Sequence, residues 1–410
     1  MKPTPSWSSL AGEAEEFPAV NDIDFEAPSH EEVRTDVRAL FLGAIRTTLE
    51  MLLEEEVREL VGAGRYQKAL ARKDKRNGSY LRGLMTSMGH LDVAVPRTRE
   101  NGSAGQVLGR YKRRTEELDD AITSAYVQGV STRKMAKVTG ALMGEKVSRS
   151  TVSRVTKSLE ERVELLRKAP LTQVFPYLYL DATFLDARWA RAVENVSALV
   201  AYGVGADGHR HLLAITIGPS ESQDSWADLL RQLNERGLTG VKLVIADGHA
   251  GLAAAARQAL PEAQLQRCTV HLTRNVLAKT PWRLRGRLGR ETSAIFEAES
   301  PKAAKVRLEA LKAGLGKQVP EAMECLEDGF AAATCFFAFP KAHWKRLRST
   351  NGLERLNGEI KRRIDSISAF PDRASALRLI TAVALEVTTL WADRRYLDMS
   401  LLNSPEANAP

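Results

Sequence analysis

The chain has 410 residues, of which 44% are apolar and 27% charged, enough for two or three domains with cores of their own. No stretch approaches the roughly 20 apolar residues of a membrane span, and the amino terminus is acidic and polar where a secretory signal would be apolar. Three cysteines are too few for a disulfide framework. These features argue against a membrane protein or a disulfide-rich secreted protein, and we expect a cytoplasmic chain with free thiols.

The positive charge of the chain is unevenly distributed. The net charge is +8, but residues 1–60 carry 5 Lys/Arg and 14 Asp/Glu, so the remainder carries +17. Residues 65–114 hold 13 Lys/Arg and 3 acids, and residues 341–363 hold 8 and 2. An isolated basic run is usually a solvated surface, whereas two such clusters in one chain favour contact with a polyanion such as nucleic acid.

The first part of the chain is predicted to be mostly helical. Residues 1–30 contain few large apolar groups and are predicted to be a disordered tail. Between residues 30 and 60, apolar residues recur at three- and four-residue steps, which indicates an amphipathic helix. A basic segment follows, and the alternation at residues 90–96 is typical of a short strand stopped by proline. We expect residues 31–115 to form a small DNA-binding region.

Residues 116–170 are also predicted to be helical and to contain a helix-turn-helix. Its second helix, at residues 147–155, has valines on one side and short polar or basic side chains on the other, as in a helix that enters the major groove of DNA. The candidate DNA contacts are Arg149, Arg154 and Lys157. A Ser/Thr-rich helix packed on its neighbours is the alternative interpretation.

From residue 174 onward the pattern changes to strands separated by helices. Strands are predicted at residues 175–182, 193–204, 211–217, 241–246 and 263–270, with helices at 222–236 and 251–260. Three strands followed by helix, strand, helix and strand predict an α/β domain with a mixed sheet, the order expected of an RNase H-like fold. Residues 276–345 are predicted to be helical, and further helices are expected to start near Asn351 and Ser375.

Two aspartates follow predicted buried strands. Asp181 ends one apolar run and Asp247 ends another, so both are predicted at the carboxyl ends of strands, where the active sites of α/β sheets collect. Either aspartate alone is equally compatible with a turn or a helix cap. A third acid is needed to favour a catalytic site.

The third candidate acid, Glu354, lies on the helix expected from Asn351. Four apolar residues of this helix recur at steps of three, four and four and form a buried stripe, and Glu354 lies off that stripe. Glu359 is the competing acid, but it is rotated by about 140° from Glu354, so the two cannot face one metal pair. We favour Glu354.

Three carboxylates form a donor set suited to phosphodiester chemistry. Carboxylate oxygens bind Mg²⁺ or Mn²⁺, and two ions roughly 4 Å apart activate the attacking oxygen and stabilise the leaving one. With water as the nucleophile such a site cuts DNA, and with a DNA 3′-hydroxyl it joins strands. We therefore expect two Mg²⁺ or Mn²⁺ ions per site.

Several motifs resemble those of the Mutator-type transposases of bacterial insertion sequences and occur in the order found in that family. They are Arg76-Asn-Gly-Ser-Tyr80 with Val95-Pro-Arg97, Gly129-Val-Ser-Thr-Arg133, Leu180-Asp-Ala-Thr-Phe184, Ala246-Asp-Gly-His-Ala-Gly-Leu252, Gln266-Arg-Cys-Thr-Val-His-Leu-Thr-Arg-Asn275 and Thr350-Asn-Gly-Leu-Glu-Arg-Leu-Asn357. The resemblance runs from about residue 33 to about residue 395. Ser79 displaces the aromatic residue that usually follows Arg-Asn-Gly in the family.

The resemblance implies a DDE triad formed by Asp181, Asp247 and Glu354. It also implies an RNase H-like core in two parts, residues 171–275 and 346–400, separated by an all-helical insertion at 276–345, with residues 401–410 as a tail. The spacing of 107 positions between Asp247 and Glu354 agrees with such an insertion.

The implied activity is that of a DNA transposase, which binds the terminal inverted repeats of its insertion sequence and cleaves and joins DNA strands. Its partners would be double-stranded terminal-repeat and target DNA, and it would act as a homodimer or higher oligomer because two element ends must be held together. The remaining candidate DNA contacts are Arg76, Arg97, Arg274, Arg355, Lys361, Arg362 and Arg363. The alternatives are a DNA-binding regulator with an inactive second domain and an RNase H-like nuclease, such as a junction resolvase, that cleaves without joining.

Cys268 and His271 form the Cys-x-x-His signature of the family. A zinc site would need two more ligands at metal spacing, and Cys325 and Cys335 are distant in sequence, so we expect no structural zinc. We expect a packing or hydrogen-bonding role beside the active site instead. His249 either orients a metal ligand or contacts phosphate, or it is simply a histidine at the start of a helix.

Overall fold

The structure is a computed structural model that describes residues 30–70, 72–100, 107–109, 112–189, 192–365, 367, 370–391 and 393–403. The predicted tail at residues 1–30 lies outside the described residues except for His30, and so do residues 404–410 of the predicted carboxyl-terminal tail. The chain forms two compact units, which divide between Arg114 and Thr115.

The first unit consists of a long helix and a two-stranded antiparallel sheet: α1 (His30–Val61), β1 (Arg76–Thr86) and β2 (Gly89–Thr98). Leu53 and Val57 of α1 are buried in one cluster with Val93 and Val95 of β2. This cluster is the core of the unit and holds the helix on the sheet.

The helix predicted from residue 30 is confirmed, but several residues whose spacing predicted it are not buried. Leu40, Phe41 and Leu52 are 73%, 55% and 50% exposed, because the side of α1 that meets the sheet is the one that carries Leu53 and Val57. The expected stop at proline was wrong, since β2 continues through Pro96 to Thr98. Proline is tolerated there because the sheet has only edge strands.

The second unit begins with four helices: α2 (Glu116–Val127), α3 (Thr132–Met143), α4 (Arg149–Val155) and α5 (Leu159–Lys168). The Ser131 side chain caps α3, and the Ser148 side chain accepts a hydrogen bond of 3.1 Å from the amide of Thr151 to cap α4. Gly144 ends α3 in the left-handed conformation, with φ of 75°, which glycine adopts without strain. Val152 and Val155 are the buried residues of α4.

A five-stranded mixed sheet follows, as predicted. Its strands are β3 (Tyr177–Trp189), β4 (Ala192–Val204), β5 (Arg210–Gly218), β6 (Leu243–Ala246) and β7 (Gln264–Arg267), arranged in the order β5-β4-β3-β6-β7. The hairpins β3–β4 and β4–β5 are antiparallel, whereas β6 runs parallel to β3 and β7 parallel to β6. β3 extends beyond its predicted end because its pairing with β4 continues to Trp189, and β7 is shorter than predicted because a helix begins at Thr269.

Helices cover both faces of the sheet. On one face lie α6 (Gln223–Glu235) and α7 (Ala250–Ala259). Trp226 and Leu230 of α6 are buried in one core with Leu178 and Leu180 of β3. The tyrosines that alternate with these leucines point to the other face, where the hydroxyl of Tyr179 donates to the carbonyl of Arg346 at 3.3 Å. The first part of β3, from Tyr177 to Leu180, is therefore buried on both sides.

The remaining helices are α8 (Thr269–Ala278), α9 (Trp282–Phe296), α10 (Pro301–Leu315), α11 (Pro320–Ala333), α12 (Trp344–Leu347), α13 (Asn351–Ile364) and α14 (Arg373–Thr389). Residues of α8 to α11 share a hydrophobic core of their own. The buried amide of Gln266 joins this group to the sheet, because it donates to the carbonyl of Ala333 and accepts from the amide of Phe336, both at 2.8 Å. None of the helices in the described part combines the length and the apolar character needed to span a lipid bilayer.

Two tryptophans allow a matched test of the core between the sheet and α6. Trp226 is fully buried and Trp282 is 76% exposed. We expect Trp226→Ala to lower the free energy of unfolding by about 3–5 kcal/mol, because a large buried side chain leaves a cavity. Trp282→Ala should change it by no more than about 0.5 kcal/mol. Equal effects of the two variants in urea denaturation would contradict the packing described here.

Candidate active site

Asp181 and Asp247 lie at the same level of two neighbouring parallel strands. Tyr179 of β3 is paired in register with Ile245 of β6, and each aspartate is two residues beyond its member of that pair. Because side chains alternate along strands, equal offsets put both carboxylates at the same end of the parallel pairing and on matching sides. Asp247 follows the end of β6, as predicted, but Asp181 lies within β3, which continues as the partner of β4.

The Asp181 carboxyl group is buried, with 8% of the residue exposed. One of its oxygens accepts a hydrogen bond of 2.8 Å from Asn357, which lies one turn after Glu354 on α13. Burial raises the pKa of Asp181 to about 7, the positive charge of His271 opposes this rise, and the negative charges of Asp247 and Glu354 add to it. Asp247 and Glu354 are therefore both within electrostatic reach of Asp181.

Glu354 faces two side chains of α8. Its Oε1 lies 2.7 Å from a guanidinium nitrogen of Arg274 and 3.4 Å from Nε2 of His271. These two residues are three positions apart on a helix and so lie on the same face. Glu354 is thus held by cationic groups, and its helix, α13, is linked to α8.

The start of α13 is attached to the end of β7 through Cys268. The buried sulfur of Cys268 accepts hydrogen bonds from the amide and the hydroxyl of Thr350, at 3.3 and 3.4 Å. The amide of Cys268 donates to the carbonyl of Ala246 at 2.7 Å, next to Asp247. The Cys-x-x-His segment thereby links the Asp247 strand end to the Glu354 helix: Cys268 contacts the residue before α13, and His271 contacts Glu354 itself.

The Cys268 and His271 side chains also influence each other's ionisation. Cys268 beside the ring raises the pKa of His271 to about 9 although burial opposes the rise, and the charges of Asp181 and Glu354 act in the same direction as Cys268. Burial raises the pKa of the Cys268 thiol, but contacts with His271 and Thr350 outweigh burial and the net pKa is lowered. A protonated His271 supplies positive charge between two carboxylates at neutral pH.

A fourth carboxylate, which was not predicted from the sequence, lies beside Asp247. Glu221 precedes α6, and its side chain is only 11% exposed, with Oε1 3.8 Å from Nδ1 of His249 and 3.2 Å from Nε1 of Trp226. Burial and then the charge of Asp247 raise the pKa of Glu221. In sequence it resembles an ordinary acid before a Ser-capped helix, so only the fold reveals its position. His249 itself is the N-cap residue of α7.

The donor set suits a hard divalent cation, although its carboxylates are not closely grouped. Among the residues that the structure describes, no three His, Cys, Asp or Glu side chains converge closely enough to hold a metal ion. Glu354 is paired with Arg274 instead. The buried Oδ1 of Asn357 has no hydrogen-bond partner in the described part of the chain, which leaves an oxygen ligand beside Asp181. Asp181, Asp247 and Glu354 are the residues that the sequence predicts as ligands of a cation.

The predicted DNA contacts have different surroundings. In the first unit, Arg76 forms an ion pair of 2.7 Å with Glu54, and Arg97 is exposed and stacks on Tyr80. In the second unit the predicted DNA contacts that are exposed are Arg149, Arg154, Lys157, Arg274, Arg355, Lys361 and Arg362. Arg362 forms an ion pair with Glu359 at 2.7 Å.

Arg363 differs from the other predicted contacts because it is buried, with 7% of the residue exposed. Its guanidinium forms an ion pair of 2.8 Å with Glu386 on α14 and donates to the carbonyl of Val127 at 3.4 Å. In this arrangement Arg363 joins α13 to α14 and α2, and its charge is not presented to a DNA phosphate. The basic run at 361–363 gave no indication of which of its members is buried.

The pKa values of two histidines in the metal-free protein should be shifted in opposite directions. We expect His271 to keep its proton up to about pH 9, whereas burial lowers the pKa of His343 below its usual value. Side-chain NMR of the histidines as a function of pH measures both. Cys268→Ala should lower the pKa of His271 and leave that of His343 unchanged. A His271 that titrates at or below pH 6.5 in the unsubstituted protein would contradict the geometry around Glu354.

Comparison with known proteins agrees with the motifs. A sequence model of the family described as "Transposase, Mutator family" matches residues 20–394. The chain is 36% identical over 356 residues to the transposase for insertion sequence element ISRM5 of Rhizobium meliloti. This match covers 87% of this chain and 89% of the relative. It is also 36% identical to the transposase for IS1081 of Mycobacterium tuberculosis over 372 residues, 90% of this chain and 89% of that one.

A third relative is the transposase for IS256 in transposon Tn4001 of Staphylococcus aureus, 34% identical over 359 residues, or 86% of this chain and 92% of the relative. Among solved structures, a chain of the simian T-cell lymphotropic virus intasome in complex with PP2A regulatory subunit B56 gamma matches 44% of this chain and 66% of that one, with a TM-score of 0.16 and 10% identity. That score is too low to define a common fold. The family match and the three relatives confirm the resemblance predicted from the motifs, and the chain belongs to the Mutator family of transposases.

Proposed function

We propose that the chain is a DDE-type transposase that binds the terminal inverted repeats of its insertion sequence and performs metal-dependent cleavage and strand transfer with Asp181, Asp247 and Glu354. Membership of the family implies an enzyme that cuts and joins DNA. The observation that carries the assignment of residues is geometric: Asp181 and Asp247 lie at the same offset from the register pair Tyr179–Ile245, and Asn357, one turn after Glu354 on α13, donates a hydrogen bond of 2.8 Å to Asp181. In this proposal the three acids come from two strand regions and a distant helix.

The topology of the sheet supports an RNase H-like catalytic core. Three antiparallel strands are followed by two strands parallel to the first, with helices in the connections and on both faces. The helices α8 to α11, which share a core of their own, are the candidates for the insertion between Asp247 and Glu354. Glu354 returns to the sheet on α13 after this segment.

The chemistry that two bound divalent cations supply to such a site is activation of the attacking oxygen and stabilisation of the leaving one. The family suggests a divalent cofactor, and Mg²⁺ or Mn²⁺ suits the carboxylate donors. In our proposal Asn357 orients Asp181 through its hydrogen bond, and His271 balances the negative charge of the acids. Arg274, which lies against Glu354, is available to a phosphate of the scissile strand when that ion pair opens.

DNA recognition is assigned to the region before the sheet. α3 and α4 form the proposed helix-turn-helix, and Arg149 and Arg154 of α4 are exposed whereas its valines are buried. The first unit adds Arg76 and Arg97. Because a transposase must hold two element ends together, we propose that it acts as at least a homodimer.

The proposed triad is tested by neutralising each acid. With purified protein, Mg²⁺ and labelled DNA bearing the terminal repeats of its own element, Asp181→Asn, Asp247→Asn and Glu354→Gln should each reduce cleavage and joining at least about a hundredfold. This corresponds to about 2.7 kcal/mol in the activation barrier. DNA binding should be retained in all three variants.

Two acids on the same elements provide matched controls. Asp186 on β3 is exposed and accepts a hydrogen bond from Asn195, and Glu359 on α13 pairs with Arg362. Asp186→Asn and Glu359→Gln should cleave like the unsubstituted protein. Loss of cleavage in Glu359→Gln, with Glu354→Gln active, would show that the wrong acid of α13 was chosen. A protein that cleaves but never joins strands would be a nuclease of the resolvase type.

The role of α4 has a separate test. Arg149→Ala/Arg154→Ala should weaken binding to terminal-repeat duplex and reduce the slope of log K against log salt by about 1.8, because two phosphate contacts are lost. Arg167→Ala/Lys168→Ala, at the end of α5, removes the same charge from residues that pair with Glu164. Equal losses for both pairs would mean that α4 has no special contact with DNA.

A further inference from the structure

A basic cavity of about 420 Å³ lies beside Glu354. Its walls come from Arg210 of β5, α8, α9, the segment from α12 to the start of α13, and Tyr396. Arg274 lines this cavity and also forms the ion pair of 2.7 Å with Glu354. The cavity and the proposed catalytic site are therefore adjacent and share one side chain.

The cavity has a large excess of positive charge. Its charged lining residues are one acid, Glu297, and six bases: Arg210, Arg274, Lys345, Arg346, Arg348 and Arg355. Glu297 is already paired with Arg348 at 2.9 Å, and Arg274 is paired with Glu354. The other four bases have no carboxylate partner among the described residues, so the cavity favours an anionic ligand.

One wall of the cavity is a stack of planar groups. The guanidinium carbon of Arg210 lies 4.6 Å from the ring centre of Tyr396 and 4.2 Å from that of Trp391, and the guanidinium of Arg346 lies 4.8 Å from the Tyr396 ring. The aromatic rings hold the guanidinium groups in place although Arg346 is exposed. The flat face of a nucleobase stacks on tyrosine rings and on arginine guanidinium planes.

A buried donor in this wall lacks an acceptor. Nε of Arg210 is shielded from solvent and has no hydrogen-bond partner among the described residues. Buried donors are nearly always paired in folded proteins, and a phosphate or base oxygen would satisfy this one. The volume lies in the range of about 300–1,000 Å³ typical of sites for single small molecules, so the cavity suits one unpaired nucleotide and not a duplex.

We propose that this cavity holds one unstacked nucleotide of the DNA strand that is processed at the triad, with its phosphate on the basic side chains and its base against the Tyr396–Arg346 wall. The inference rests on the proposed function, because the sharing of Arg274 with Glu354 links the nucleotide to the scissile strand. A nucleotide phosphate that engages Arg274 competes with Glu354 for the same guanidinium.

Binding of single-stranded DNA tests the cavity without any cleavage. The probe is fluorescein-labelled 12-nucleotide oligothymidylate, measured by anisotropy in EDTA with the full chain. Lys345→Glu/Arg346→Glu should weaken binding tenfold or more and lower the salt slope by about 1.4, since two single-strand phosphate contacts are lost. Lys302→Glu/Lys305→Glu makes the same charge change on exposed positions of α10 outside the cavity and should have a much smaller effect. Equal weakening by the two double variants would overturn the proposal.

Photo-crosslinking locates the base directly. The same oligonucleotide with a single 5-iodouracil should yield a crosslinked peptide that contains Tyr396 or Phe296, the two aromatic residues that line the cavity. Crosslinks confined to other peptides would overturn the proposal. So would displacement of the oligonucleotide by thymidine monophosphate at equal nucleotide concentration, which would indicate a site for free nucleotides.

The proposed function and the cavity can fail independently. Asp181→Asn should bind the oligonucleotide like the unsubstituted protein because Asp181 does not line the cavity. If Asp181→Asn still cleaves terminal-repeat DNA, the triad is wrong whatever the cavity binds. If the Lys345/Arg346 variant binds like the α10 variant while Asp181→Asn is inactive, the cavity inference fails and the triad stands.

Discussion

The Asp181 carboxyl group lies in the central strand of a sheet that is covered on both faces, and much of the surrounding structure compensates for its burial. A buried carboxylate is costly unless hydrogen bonds or positive charge stabilise it. Asn357 supplies a hydrogen bond from α13, and His271 supplies positive charge from α8. Burial outweighs these effects, and with the negative charges of Asp247 and Glu354 it raises the pKa of Asp181 to about 7.

The two helices that meet Asp181 are themselves connected by side-chain contacts. The Cys268 sulfur holds the residue before α13, and Arg274 and His271 hold Glu354 three residues into that helix. The same short segment, which begins immediately after β7, therefore orients Glu354 and supplies charge to Asp181. These contacts give the cysteine and the histidine at this spacing a structural role beside the acids.

Much of this arrangement could be predicted from the sequence, because it follows from local patterns. Alternating and periodic apolar residues predicted the order of strands and helices, and the stripe of α13 separated Glu354 from Glu359. The remaining features depend on tertiary contacts that no local pattern encodes. Glu221 approaches Asp247 only when α6 packs on the sheet, and Arg363 looks like its exposed neighbours until Glu386 is placed beside it. The extension of β3 likewise depends on its partner strand.

Asp181 and Asp247 lie at equal offsets from one register pair, and Cys268 contacts Thr350. These contacts constrain the length of the chain near the acids, whereas other segments are free to vary in length. One residue inserted between Ile245 and Asp247 would turn that carboxylate to the opposite side of the sheet. The segment from α9 to α11 shares one core with α8 and, in the described part of the chain, makes no hydrogen bond to the three acids. Its loops can therefore lengthen or shorten at little entropic cost while the spacing of the acids in space stays the same.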